Sequence, residues 1–188
     1  NPLIKNLIQK FKYELRVKEL AKPLSSLIIE HFQLLDNKPS FIDFTIIPVP
    51  LEKRRLKWRG FNQAEEIGKE LSKSLDTPIK NNILLKTRGT RPQVEFSEKE
   101  ARKENVKGAF LVESGALIKD KKILLVDDVY TTGSTLEEAA RVLKEAGAKE
   151  VVGIVLARAK PEEDYFKNIK IETKQKDRGT GLFFESGG

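Results

Sequence analysis

Two short apolar runs constrain this chain more than any other feature of it. Residues 123–126 (I-L-L-V) and 151–157 (V-V-G-I-V-L-A) are continuous and bounded by polar residues, the pattern of strands buried on both faces of a parallel sheet. Between them, residues 132–146 carry Leu136, Ala139, Ala140 and Leu143 at helical spacing, and Gly147 follows as a stop signal. Strand, helix and strand of these lengths make a βαβ unit, so the expected fold is an open, mostly parallel α/β sheet flanked by helices.

The remaining segments extend that plan. Leu3, Leu7, Phe11 and Leu15 recur every four residues, and Leu20, Leu24, Leu27, Ile28, Leu34 and Leu35 mark a second apolar face, so residues 1–35 are expected to be N-terminal helices. Pro23 falls in the first turn of the second of these, where proline is tolerated. Residues 36–40 form a loop. Residues 41–49 read as a buried strand ended by Pro48 and Pro50. A helix at 62–74 with Ala64, Ile67 and Leu71 inward and a short strand at 79–85 follow. Residues 86–107 are polar, lack apolar periodicity in their first half, and are longer than an ordinary connection. The expected division is an N-terminal helical segment at 1–40, a core at 41–160 and a C-terminal tail at 161–188.

Composition narrows the chemistry. The 188 residues contain no Cys, no Met and one His, which excludes disulfides, thiolate catalysis and cysteine or multi-histidine metal sites within them. The missing initiator Met is expected of a processed or trimmed form of something longer. No apolar run approaches the roughly 20 residues of a membrane-spanning helix, and residues 1–5 lack a signal-peptide layout. The net charge of +7 is uneven. Residues 1–60 hold 12 Lys/Arg against 6 Asp/Glu and residues 86–107 hold 7 against 4, whereas residues 120–160 balance at 7 and 7. Two basic segments favour an anion site over a general solubility device.

The chemistry concentrates at residues 123–135, I-L-L-V-D-D-V-Y-T-T-G-S-T. Asp127 and Asp128 end a buried strand, the end at which ligands bind parallel sheets. Thr131, Thr132, Gly133, Ser134 and Thr135 then open a helix; hydroxyls, helix-opening N–H groups and a glycine that admits close backbone approach suit a phosphate. Acids beside a phosphate cradle would repel it unless they face another part of the ligand. A ribose supplies that part, its hydroxyls donating to the carboxylates while its 5′-phosphate lies in the turn. The competing reading is a solvated acidic strand end followed by an N-cap threonine.

This segment closely resembles the phosphoribosyl-pyrophosphate (PRPP) motif of type I phosphoribosyltransferases: three apolar residues, two acids, Val, two variable residues, Thr, Gly, one variable residue, Thr. Together with P-V-P-L at 48–51, R-G-F-N-Q at 59–63, R-x-x-x-x-Q at 88–93 and R-x-x-N-V-K-G-A-F at 102–110, it resembles the ComF family of competence-associated, phosphoribosyltransferase-like bacterial proteins. The likeness covers residues 4–158. It implies the type I phosphoribosyltransferase fold, with Asp127 and Asp128 at the ribose as the catalytic pair and Thr131, Thr132, Gly133, Ser134 and Thr135 at the 5′-phosphate. Arg54, Arg55, Arg59 and Gly60, in the loop just after the first core strand, would receive pyrophosphate, for which guanidinium groups are suited. Arg88, Arg91, Gln93 and Arg102 would form a mobile loop closing over it, or else an ordinary surface in which local Glu–Lys/Arg pairs satisfy the charges.

The resemblance further implies Mg²⁺ as a cofactor, arriving with PRPP and held mainly by ligand oxygens and water rather than by a dedicated protein site. Implied partners are PRPP, single-stranded DNA and a competence helicase or other DNA-uptake proteins, in a cytoplasmic setting. Two functions follow: a PRPP-binding protein acting in DNA uptake during natural transformation, and an active phosphoribosyltransferase using a nucleobase or related acceptor in nucleotide salvage. No general base or nucleobase pocket is legible. Family members commonly carry a four-cysteine zinc module that these residues lack, and the tail at 161–188 matches nothing in the pattern. Trp58 and Phe61 are expected in the core, with stacking platforms for bases as the alternative; His31 is expected at a helix surface or in the core, not in catalysis.

Overall fold

A computed structural model describes Leu7, Lys10, Phe11 and residues 18–87, 107–158 and 182–185. Among these, a 3₁₀ turn at Lys18–Leu20 leads into helix α1 (Ala21–Leu34), which carries Pro23 in its first turn. Strand β1 (Phe44–Pro48) is buried along its whole length and stops where Pro48 and Pro50 remove ladder donors. The short helix α2 (Lys53–Arg59) and helix α3 (Gln63–Leu75) follow. Strands β2 (Leu84–Lys86) and β3 (Phe110–Val112) pair as an antiparallel ribbon. Strand β4 (Lys122–Tyr130), helix α4 (Ser134–Glu145) and strand β5 (Glu150–Arg158) form the expected βαβ unit, and β6 (Leu182–Glu185) runs antiparallel along the far edge of β5.

The main sheet has the order β1-β4-β5-β6, with β1, β4 and β5 parallel. Strand periodicity sends alternate residues to opposite faces. Phe44 and Ile46 of β1 join Leu124 and Val126 of β4 in one core with Leu24 and Ile28 of α1 and Ile67 and Leu71 of α3. Ile47, Ile123, Leu125, Val151 and Val155 join the other core with Leu136, Ala139 and Leu143 of α4. The central strands are thus covered on both faces, which is why residues 123–126 read as an unbroken apolar run.

Connectivity then locates the cleft. From β1 the chain crosses one face through α3 and returns on the outer edge of β1, where the Ile46 N–H donates to the Pro78 carbonyl at 2.7 Å and the Lys80 N–H donates to the Ile46 carbonyl at 2.9 Å. From β4 it crosses the opposite face through α4 and returns as β5 on the other side. The chain therefore departs in opposite directions from two adjacent strands, and the carboxyl ends of β1 and β4 flank a topological switch point, where open α/β sheets open a ligand crevice.

Several expected boundaries differ. The first strand begins at Phe44 rather than 41, because Asp43 at φ 66° turns the chain and the Phe44 N–H closes that turn on the Phe41 carbonyl. The strand expected at 79–85 is divided: Ile79 bridges β1, the polar Asn81 and Asn82 break the run, and the pairing resumes only at Leu84 with β3. Leu34, expected on the apolar face of the N-terminal helices, is 82% exposed at the end of α1. His31 is half-buried on α1, its ring 6.5 Å from that of Phe32. The first expected helix lies largely outside the described residues.

Candidate functional site

At the carboxyl end of β4, Asp127 and Asp128 are half-buried, and the Asp127 carboxylate accepts the Asp128 N–H at 2.8 Å. Two residues later Tyr130 is buried, and the chain turns through Thr131, Thr132 and Gly133 into α4. Thr132 Oγ1 and Ser134 Oγ lie 3.0 Å apart, so the hydroxyls of this turn converge at the opening of a 12-residue helix. Gly133 has φ 83°, and a β-carbon on it would lie 2.5 Å from the Tyr130 hydroxyl and 2.8 Å from two ring atoms. Glycine is therefore required by the packing of Tyr130 as well as by backbone conformation. The Arg158 guanidinium lies over this ring, 5.2 Å from its centroid. Burial, and then the neighbouring Glu137 carboxylate, push the Tyr130 hydroxyl above its ordinary range, with Arg158 opposing them.

Across the switch point, residues following β1 form α2, where a basic loop is expected from sequence. Lys53, Arg54, Arg55 and Lys57 are exposed, and none of the helix's residues is buried. Gly60, at φ 81°, ends the helix by sending its N–H back to the Leu56 carbonyl, and the chain re-enters helix at Gln63. Asn62 secures this corner twice. Its side-chain oxygen accepts the Ala64 N–H at the start of α3, and its amide donates to the Val49 carbonyl at 3.0 Å. Val49 in turn donates to the Val126 carbonyl at 2.8 Å, so the base of the basic helix is hydrogen-bonded to the strand that carries the acids.

Phe61 is buried, its ring 5.4 Å from that of Phe11, as expected of a core residue. Trp58 is not: it is 57% exposed, since α2 packs no face inward. At 100° per residue, Arg54, Trp58, Arg55 and Arg59 share one arc of this helix, with Lys53, Leu56 and Lys57 on the other.

Lys86, at the end of β2, joins the site although no motif marks it. It is half-buried with its ammonium 5.4 Å from the Phe110 ring centroid. Burial chiefly, and then the Arg55 charge, pull its ammonium below its ordinary value, while Asp127 and Glu52 act in the opposite sense. Lys86 thus lies within electrostatic reach of both the basic helix and the acidic strand end. A lone lysine in a polar stretch carries no periodicity or spacing signal, so only the tertiary arrangement reveals it.

Arg88, Arg91, Gln93 and Arg102 lie outside the described residues. The segments on either side of them are joined: the Thr87 N–H donates to the Ala109 carbonyl at 2.8 Å and its hydroxyl to the Gly108 carbonyl at 2.9 Å. Glu138 of α4 accepts the Gly108 N–H at 2.7 Å and forms a two-pronged pair with Arg141. Hydrogen bonds from Arg141 hold the Glu138 carboxyl below its ordinary range against the opposing effect of burial, and the Gly108 N–H adds to them. The β2–β3 ribbon, and Lys86 with it, is thereby fastened to the helix that the hydroxyl turn opens.

Two half-buried carboxylates and a hydroxyl-lined helix opening thus stand at the carboxyl end of β4 beside the switch point, with Lys86 and Arg55 of the basic helix within electrostatic reach of one another. The carboxylates can accept from a polyol, and the turn and cations can hold two separated anionic groups. Among the described residues no three His, Asp or Glu side chains gather as a metal site. No described helix is long and apolar enough to cross a membrane.

The phosphoribosyl transferase domain family matches residues 62–180, more than half of the chain. Competence protein F of Haemophilus influenzae is 44% identical over 115 residues, covering 61% of this chain and 50% of that protein. DNA utilization protein YhgH of Escherichia coli K12 is 34% identical over 151 residues, covering 80% and 65%. Competence protein ComFC of Streptococcus pneumoniae is 30% identical over 162 residues, covering 84% and 64%. The chain spans half to just under two thirds of the length of these relatives. With the parallel, doubly covered sheet described above, it has the type I phosphoribosyltransferase fold and belongs to the phosphoribosyl transferase domain family, in its ComF type.

Proposed function

We propose that this chain binds Mg²⁺-PRPP in the crevice between β1 and β4 and acts in the handling of single-stranded DNA. The observation that carries the PRPP reading is the placement of Asp127 and Asp128 one turn ahead of the hydroxyl-lined opening of α4, at a topological switch point. Thr131, Thr132, Ser134 and Thr135, with the Gly133 backbone, would donate to the 5′-phosphate, and the two carboxylates would accept from the ribose hydroxyls. Arg54, Arg55 and Arg59 on α2, together with Lys86, would hold the pyrophosphate and stabilise it as it departs. The donor set fits magnesium: one or two carboxylates, with phosphate oxygens and water completing its shell. When bound, the ion supplies neutralising charge for the pyrophosphate.

The DNA reading is favoured by a specific feature of α2. Trp58 stands exposed among Lys53, Arg54, Arg55, Lys57 and Arg59, a combination that suits base stacking with phosphate pairing. Relatives named as competence and DNA-utilization proteins support the same setting. Its partners would be a competence helicase or other DNA-uptake proteins, in the cytoplasm. The alternative is phosphoribosyl transfer to a nucleobase or related acceptor. The two are separated by incubating the chain with Mg²⁺-PRPP and a panel of bases and following pyrophosphate release. Base-dependent release establishes transfer. Binding of PRPP without release under any base leaves the fold serving as a ligand-binding module.

A further inference from the structure

The R-G-F-N-Q segment is held at three points, and two of them reach outside the core sheet to Phe11. Asn62 anchors it to the residue that follows β1 through the Val49 carbonyl, and Phe61 packs on Phe11, which is fully buried. Gln63, 2% exposed, uses both ends of its carboxamide: its oxygen accepts from Arg59 Nη1 at 3.0 Å, and its nitrogen donates to the Phe11 carbonyl at 3.0 Å. The orientation of that amide is dictated by its partners, since a guanidinium can only donate and a carbonyl can only accept. Turning it over would break both bonds in a place water does not reach.

Arg59 lies one helical turn beyond Arg55, on the same arc of α2, and Arg55 is the arginine whose charge acts on Lys86 at the crevice. A four-residue spacing across Gly60, where the helix breaks, would ordinarily leave a long cationic side chain free to sample solvent. Gln63 removes that freedom for one of its nitrogens.

We propose that Gln63 is a positioning residue that fixes the Arg59 guanidinium on the anion-facing arc of α2 and makes that placement depend on Phe11, whose carbonyl holds the other end of the amide. Anything that draws Phe11 off α3 withdraws the acceptor from Gln63, loosens the amide and releases Arg59. Affinity for the anionic end of the ligand is then set partly by whether Phe11 is seated against Gln63. This rests on the reading of α2 as the pyrophosphate side of the crevice, and the test separates the two.

The experiment uses the full chain labelled with ¹⁵N, with the Arg59 side-chain signals assigned by their loss in Arg59→Lys. Restrained rotation of the guanidinium, seen as distinct Nη signals for Arg59, is expected in the parent chain and is expected to collapse in Gln63→Leu and in Phe11→Ala. Unchanged Arg59 signals in a folded Gln63→Leu, or in Phe11→Ala where Gln63→Leu does not fold, overturn the proposal without reference to any ligand. Calorimetry with magnesium pyrophosphate supplies the second arm. Gln63→Leu should weaken binding by about tenfold, the cost of one charge-assisted hydrogen bond, in the parent background and leave it unchanged in Arg59→Ala. An equal loss in both backgrounds means that Gln63 supports the fold rather than Arg59, and overturns it. A parent chain that does not bind pyrophosphate refutes the reading of α2, while the Arg59 signals still decide for or against the link to Phe11.

Discussion

The Tyr130 hydroxyl stands 2.5 Å from the point at which a β-carbon on Gly133 would sit. The ring therefore occupies the space that any other residue at 133 would need, and it does so at the corner between the acidic strand end and α4. Gly133→Ala combines this clash with a left-handed backbone and should cost more than about 1 kcal/mol of stability. Trimming the ring in the Tyr130→Leu background should recover part of that loss. Denaturant unfolding of the two single variants and the double checks both statements, and additive costs would show that the two positions do not collide.

Lys86 is expected to behave as a group kept for binding at the expense of stability. Its ammonium is pulled below 10.5, chiefly by burial, so the folded chain gives up this proton at lower pH than the unfolded one. The unfolded state then holds more protons between the two values, and stability contributed by this site rises with pH through that window. At neutral pH the buried charge is a burden. Lys86→Met should raise Tm by about 2–4 °C while weakening magnesium pyrophosphate binding by about tenfold. Thermal melts and calorimetry on the same preparation test the opposed signs.

For Glu138 the sign is reversed. Arg141 and the Gly108 N–H hold its carboxyl below 4.5, so its contribution is complete above that value and is lost as pH falls through the lowered one. Glu138→Gln should therefore show a smaller drop in Tm than the parent chain between neutral pH and about pH 3. A parallel pair of curves would mean that the Glu138–Arg141 pair does not contribute to acid sensitivity.

What could be read from the chain tracks how strongly burial marks a residue. Residues 123–126 are apolar because both faces of β4 are covered, so strand, direction and the position of Asp127 and Asp128 all followed from pattern. Helix α2 has no buried face and hence no periodicity, and its basic run looked like loop. Trp58 looked like core because large aromatics usually are, whereas here the helix that carries it packs nothing inward. The need for glycine at 133 was legible, but its immediate cause, the Tyr130 ring, depends on a close approach that spacing does not encode. Gln63 owes its place to a hydrogen bond with Phe11, 52 positions away, and Lys86 to its packing against Phe110, 24 positions away, neither of which spacing encodes.

Single-strand binding, if α2 carries it, should divide into two separable contributions. Trp58→Ala should weaken binding of an oligodeoxynucleotide by about 1–3 kcal/mol while leaving its salt dependence unchanged, as expected for a lost stacking platform. Arg54→Ala/Arg55→Ala should instead reduce the slope of log affinity against log salt by about 1.4, two phosphate contacts' worth. Fluorescence anisotropy across a salt series reads both. Absence of binding at low salt removes DNA as a partner of this helix.

The most direct test of the PRPP crevice is titration calorimetry of the chain with Mg²⁺-PRPP, alongside Asp127→Asn/Asp128→Asn. These substitutions keep the shape of the strand end and remove its charge. Binding by the parent chain and its loss in the double variant, with an unchanged melting profile, is the predicted result. Equal affinity in the two proteins would contradict the assignment of Asp127 and Asp128 to the ribose and, with it, the ligand site proposed at this crevice.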